Sequence, residues 1–100
     1  MYRIVVLSKA NQDILNAEAW YNEQGGAVVG LKFKQQLLGT VEKLQNELIE
    51  HAIAYRGLSR SFVKNFPYTL YFVKHNDIKL IIIYAVLHNK QNKSALSKRI

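Results

Sequence analysis

The chain has 100 residues, 49% of them apolar, with no cysteine and a formal net charge of +7. That size and apolar content fit one domain over residues 1–100 whose core needs no disulfide or metal, and the missing Cys excludes a disulfide framework, a thiol nucleophile and a Cys-based zinc site. The charge is lopsided: residues 51–100 hold nine Lys or Arg (Arg56, Arg60, Lys64, Lys74, Lys79, Lys90, Lys93, Lys98 and Arg99) and one acid, Asp77, an asymmetry that predicts an anionic partner docking on one face.

Residues 2–7 predict a short strand, too brief for a secretory segment, and no run approaches the roughly 18 apolar residues of a membrane span. The expectation is a soluble cytoplasmic protein without a membrane partner. Ser8 is the expected N-cap of a first helix, with Asp13 close enough to its start to favour the helix dipole. That helix should run to about Glu23 on a stripe of Ile14, Ala17 and Tyr21, with Ala10 and Leu15 one step around, and stop at Gly25 and Gly26. A longer second helix, from about Ala27 to Glu50, places Phe33, Leu37, Val41, Leu44 and Leu48 on one face. Gly39 inside it weakens an exposed helix by roughly 1 kcal/mol relative to Ala, and close approach of the first helix would explain it.

Beyond His51 the period changes. Ala52–Arg56 and Ser61–Asn65 predict short strands broken near Gly57; Tyr68–Lys74 and Lys79–Leu87 predict longer ones joined by a turn at Asn76 and Asp77. The polar tail, Ser94 to Ile100, predicts one helical turn whose Lys98 and Arg99 are mobile enough to reach a partner. The order predicts an α+β fold: an N-terminal strand, a two-helix hairpin on one face of a mainly antiparallel sheet of four or five strands, and a short C-terminal helical tail. The other face is expected to be open to ligands.

Pro67 marks the first position of a strand or a sheet edge. Tyr68, Tyr71 and Tyr84 divide between core and open face, where one could stack on bases. His88 stands where an apolar strand stops, as either a structural group or a general base, and Arg60, Lys64 and Arg99 are cations that could neutralise a phosphorane-like transition state. His51, His75 and His88 lack metal-cluster spacing, and Gly25 and Gly26 belong to no phosphate-loop pattern, so no metal and no cofactor is expected.

Arg60, then Phe66, Pro67 and Tyr68, then the strand Ile81 to Leu87 ending at His88, and the terminal Arg99 together resemble the RelE/ParE superfamily of toxins. Asp13, Ile14, Ala19, Trp20 and Tyr21 resemble its first helix, and Phe33 with Leu37 its second. The resemblance implies the toxin of a type II toxin–antitoxin (plasmid stabilisation) module. Phe66, Pro67, Tyr68 and His88 look more like the ParE branch, which poisons DNA gyrase, than the RelE branch, which cleaves mRNA on the ribosome. On the favoured branch Arg56, Arg60, Lys64, Tyr68, His88, Lys90 and Arg99 contact the target, while Trp20, Phe33 and Leu37 contact a cognate antitoxin. The chain is then a binder; on the RelE branch Arg60, His88, Lys90 and Arg99 become groups of a metal-independent endoribonuclease. A third alternative is an inactive relative that only binds antitoxin. The oligomeric expectation is a homodimer or a toxin–antitoxin hetero-oligomer. Gln91, Lys93 and Leu96 stand where relatives carry Arg, Pro and Trp.

Overall fold

The computed structural model describes residues 1–46, 51–91 and 94–99. In chain order these form β1 (Arg3–Val6), α1 (Ser8–Gly25), α2 (Ala27–Leu44), β2 (Ile53–Tyr55), β3 (Leu58–Phe62), β4 (Tyr68–His75), β5 (Leu80–His88) and α3 (Ser94–Ser97). The five strands make one sheet in the order β1-β5-β4-β3-β2. β1 pairs with β5 in parallel and every other pair is antiparallel, so the expected α+β architecture holds. No helix among the described residues is long and apolar enough to cross a membrane.

Several boundaries differ from the sequence-based reading. Leu7 is the N-cap of α1 and Ser8 its first helical residue, with no side-chain cap; the extended Leu7 carbonyl takes the Asn11 N–H at 2.9 Å instead. α1 runs two residues past Glu23 and turns at Gly26, whose φ of 82° suits a residue without Cβ. Leu15 lies on the exposed side, whereas Ala10 and Ala17 are buried. α2 ends at Leu44 rather than Glu50: the Gln45 and Asn46 amides fold back three residues, onto Glu42 and Lys43, the tight 3₁₀-type closure common at helix ends. Leu48 lies outside the described residues. The helix hairpin closes at Gly30, where a Cβ would stand 1.8 Å from Asn22 Oδ1. Gly39 is not such a contact, since a Cβ there would meet nothing within 4 Å.

β3 starts at Leu58, three residues earlier than expected, and ends at Phe62. Tyr55 pairs with Leu58 across Arg56 and Gly57, both at positive φ of 46° and 84°. That is the type I′ geometry whose twist matches a two-residue hairpin. The β4–β5 connection passes through Asn76 and Asp77 as expected and leaves Lys79 in the loop, at φ 53°.

Two apolar clusters share the sheet. On the helix face Phe33, Leu37, Leu44, Leu70, Phe72, Ile81, Ile83 and Val86 are buried together with Ala10 and Ala17. The opposite face is not left open: Leu58, Tyr71, Ala85 and Leu87 pack there under Leu96 of α3. A bulge lets β5 serve both clusters. Tyr71 faces Ala85 while Phe72 faces Ile83, so Tyr84 is an extra residue, and the helix-facing set switches from Ile81 and Ile83 to Val86.

Candidate functional site

The expected site residues gather best at the end of the sheet where β4 begins and β5 stops. Tyr68 and His88 are cross-strand partners, with the ring of one edge-on to the other at 5.2 Å. The turn after His88 is fastened on every side. His88 Nδ1 accepts the Lys90 N–H at 3.1 Å, the His88 N–H donates to Gln91 Oε1 at 2.8 Å, and the Asn89 N–H donates to the Pro67 carbonyl at 2.8 Å. Thr69 adds its hydroxyl to Asn89 Oδ1 at 2.6 Å. Pro67 thus sits immediately before β4, offering the carbonyl that ties the two strand ends together.

Behind this edge lies an aromatic stack. Tyr68 packs edge-on against Phe33 at 5.2 Å and Tyr21 at 6.0 Å, and Phe66 closes on Tyr21 at 4.9 Å and Phe33 at 5.3 Å. Burial, and secondly the nearby Asp13 charge, raise the Tyr68 phenol above its ordinary range; burial and then Tyr68 raise Tyr21. Both phenols are therefore neutral near pH 7. A cleft of about 230 Å³ opens between this stack and α1, lined by Asp13, Trp20, Tyr68 and Gln91 among others.

Asp13 and Arg99 join these parts. Arg99 donates through Nη1 to Asp13 Oδ2 at 2.5 Å and through Nη2 to Oδ1 at 2.9 Å, and Nη1 also reaches the Tyr84 carbonyl at 3.3 Å. Asp13 Oδ2 accepts the Val86 N–H at 3.0 Å. The pair therefore satisfies backbone groups on either side of the β5 bulge and ties the C-terminal tail to α1. Hydrogen bonding to Asp13 raises the Arg99 pKa further, against the opposing effect of burial. The expected mobile tail cation is held in place, and Asp13 serves this pair rather than the helix dipole.

The remaining residues are dispersed. Arg60 pairs with Tyr71, three residues along β4 from Tyr68, and its guanidinium lies 5.4 Å over the Phe62 ring. Cross-strand partners share a face and successive residues alternate. Arg60 therefore projects with Tyr71 on the α3 face, while His88 projects with Tyr68 on the helix face. Arg56 is exposed in the β2–β3 turn over the Tyr55 ring at 5.7 Å, and Lys64 and Lys90 are exposed in loops. Of the three expected antitoxin contacts, Trp20 is 55% exposed and Phe33, at 0%, is a core residue, while Leu37, at 6%, is largely buried yet lines an apolar groove with Ile4, Val6, Ile14, Leu38 and Val41. Their helical spacing marked a buried stripe, which periodicity cannot tell from a partner-facing one. Beside Trp20, the exposed large apolar residues on the helices are Leu15, Val28, Leu31 and Leu38. Sequence reasoning missed the Asp13–Arg99 pair, for which 86 residues of separation leave no local signal. It also missed Phe62, exposed at the end of β3.

No protein-family model matches this chain, and no curated protein matches it. Among solved structures, a chain described as "Chromosomal ParDE TA system from P. aeruginosa" matches with a TM-score of 0.74 and 21% identity, over 88% of this chain and 96% of that one. At that identity the two share a fold.

Proposed function

We propose that this chain is the toxin of a type II toxin–antitoxin module, that it inhibits DNA gyrase by binding it, and that a cognate antitoxin holds it inactive. The observation that carries the reading is the shared fold, over almost the whole chain, with a chain of the ParDE toxin–antitoxin system, together with the ordered motifs from Arg60 to His88.

Gyrase is favoured over mRNA cleavage by the arrangement of the candidate groups. A general acid or base must come within hydrogen-bond reach of the proton that it moves. Arg60 and His88 lie on strands flanking β4, three residues apart along it, or about 14 Å between their backbones, and they project from opposite faces. Arg99 is committed to Asp13. Arg60, His88 and Arg99 are thereby poorly placed to serve a single scissile phosphate together. The same dispersal suits a binder, in which Arg56, Arg60, Lys64 and Lys90 steer the chain to an acidic target while the Tyr68–His88 edge supplies a rigid contact. Arg99 acts by holding the tail. The antitoxin covers Trp20 and the apolar groove of about 360 Å³ lined by Ile4, Val6, Ile14, Leu38 and Val41, and its acidic segment offsets the +7 charge on folding. The assembly is a toxin–antitoxin hetero-oligomer in the cytoplasm.

The test is supercoiling by purified gyrase with this chain titrated in. Inhibition, relieved by the antitoxin, is expected. No inhibition by a preparation that still arrests growth would overturn the gyrase target and send the search to ribosomes. No toxicity in any host would leave only an antitoxin-binding relative.

A further inference from the structure

We propose a binding site for single-stranded nucleic acid in the cleft between α2 and the Arg60–Phe62 end of β3. It goes beyond the gyrase reading and does not depend on it. Among the described residues β2 pairs with β3 only as far as Ser59, and Arg60–Phe62 continues β3 beyond that pairing, beside α2. A cleft of about 280 Å³ lies between them, and Gln36, Gly39, Lys43, Ser61, Phe62 and Lys64 form most of its lining.

Four features suit one ligand chemistry. Lys43 and Lys64 bring two ammonium groups to the cleft from different elements, and no acid is among the described residues that line it, a balance that favours an anion. Gln36 and Ser61 add neutral hydrogen-bonding groups. Phe62 is 62% exposed at the rim, and the Arg60 guanidinium lies over its ring; an exposed aromatic ring beside a cation offers a stacking surface for a base. Gly39 is the fourth. It is a helix-interior glycine with nothing within 4 Å of its Cβ position, so interhelix packing does not explain it, and a missing side chain lets a ligand approach the backbone. Phosphates at Lys43 and Lys64 with a base over Phe62 at the end of β3 describe a nucleotide chain crossing that end of the strand.

The experiment is fluorescence anisotropy of labelled dT12 and U12 with the intact chain at several salt concentrations. Saturable binding is expected. Phe62→Leu should weaken it about tenfold, as loss of one stacked base does. Joint Lys43→Gln and Lys64→Gln substitution should lower the salt slope by about 1.4, the value for two phosphates of a single strand. Gly39→Ala should weaken binding while raising the melting temperature, which separates a filled cleft from misfolding. Lys9→Gln with Lys98→Gln removes the same charge from a separate cleft beside Tyr84 and should leave the affinity within twofold. Preference for dT12 assigns the site to DNA and preference for U12 to RNA; either upholds it. The proposal is overturned if no saturable binding occurs, if Gly39→Ala binds as the parent does, or if the Lys9 and Lys98 changes weaken binding as much as those at Lys43 and Lys64.

Discussion

Replacing Arg99 by alanine removes the guanidinium that binds both oxygens of Asp13, in a pair whose side chains are only 16% and 13% exposed. Breaking a fully buried ion pair from one side costs about 3–5 kcal/mol, because the remaining charge keeps little solvent. Asp13 still accepts the Val86 N–H and has some access to water, which lowers the expected loss to about 2–3 kcal/mol. For a chain of this size that corresponds to a melting temperature lower by roughly 10–20 °C. The assay is thermal and urea unfolding followed by circular dichroism, with Asp13→Ala and the double variant completing a cycle. A coupling of about 2 kcal/mol is expected between the two sites. Arg99→Lys should recover only part of the loss, since an ammonium cannot engage both carboxylate oxygens through a planar fork. An Arg99→Ala variant within 0.5 kcal/mol of the parent, or a coupling near zero, would refute the reasoning and return the C-terminal residues to a mobile tail.

Phe33→Ala empties the centre of the aromatic stack and should cost about 3–5 kcal/mol, whereas the half-exposed Trp20→Ala should change unfolding by less than about 1 kcal/mol and act instead on antitoxin affinity measured by calorimetry. Gly39→Ala should stabilise by about 0.5–1 kcal/mol, and Gly57→Ala should destabilise by about 1 kcal/mol because of its φ of 84°; equal effects in urea unfolding would refute the distinction. Burial, and secondly the Lys74 charge, lower the His51 pKa. The unfolded chain then takes a proton near pH 6.5 that the folded chain still refuses, so this contribution is complete above about pH 6.5 and is lost as pH falls towards the lower folded value. His51→Gln should flatten that part of the stability profile, and an unchanged acid limb would contradict the assignment.

Most of the elements were legible because their causes are local. Gly25 and Gly26 stop α1, the four-residue spacing of Phe33 and Leu37 belongs to a helix with one buried face, and the apolar run from Ile81 to Val86, rich in β-branched residues, belongs to a strand inside a sheet. The basic second half and the motifs from Arg60 to His88 were likewise present in the order of residues. Parity along a strand was not enough: the bulge at Tyr84 shifts the alternation, so which side chains share a face depends on pairing with β4. Burial required the fold as well, since Phe33 and Leu37 carry the same pattern whether a helix packs on its own sheet or on a partner. The tertiary structure alone separated Arg60 from His88 and joined Asp13 to Arg99. Both outcomes come from long-range pairing, which brings together residues 86 positions apart and sets Arg60 and His88 against β4 residues of opposite parity, Tyr71 and Tyr68, and no short stretch of sequence contains that information.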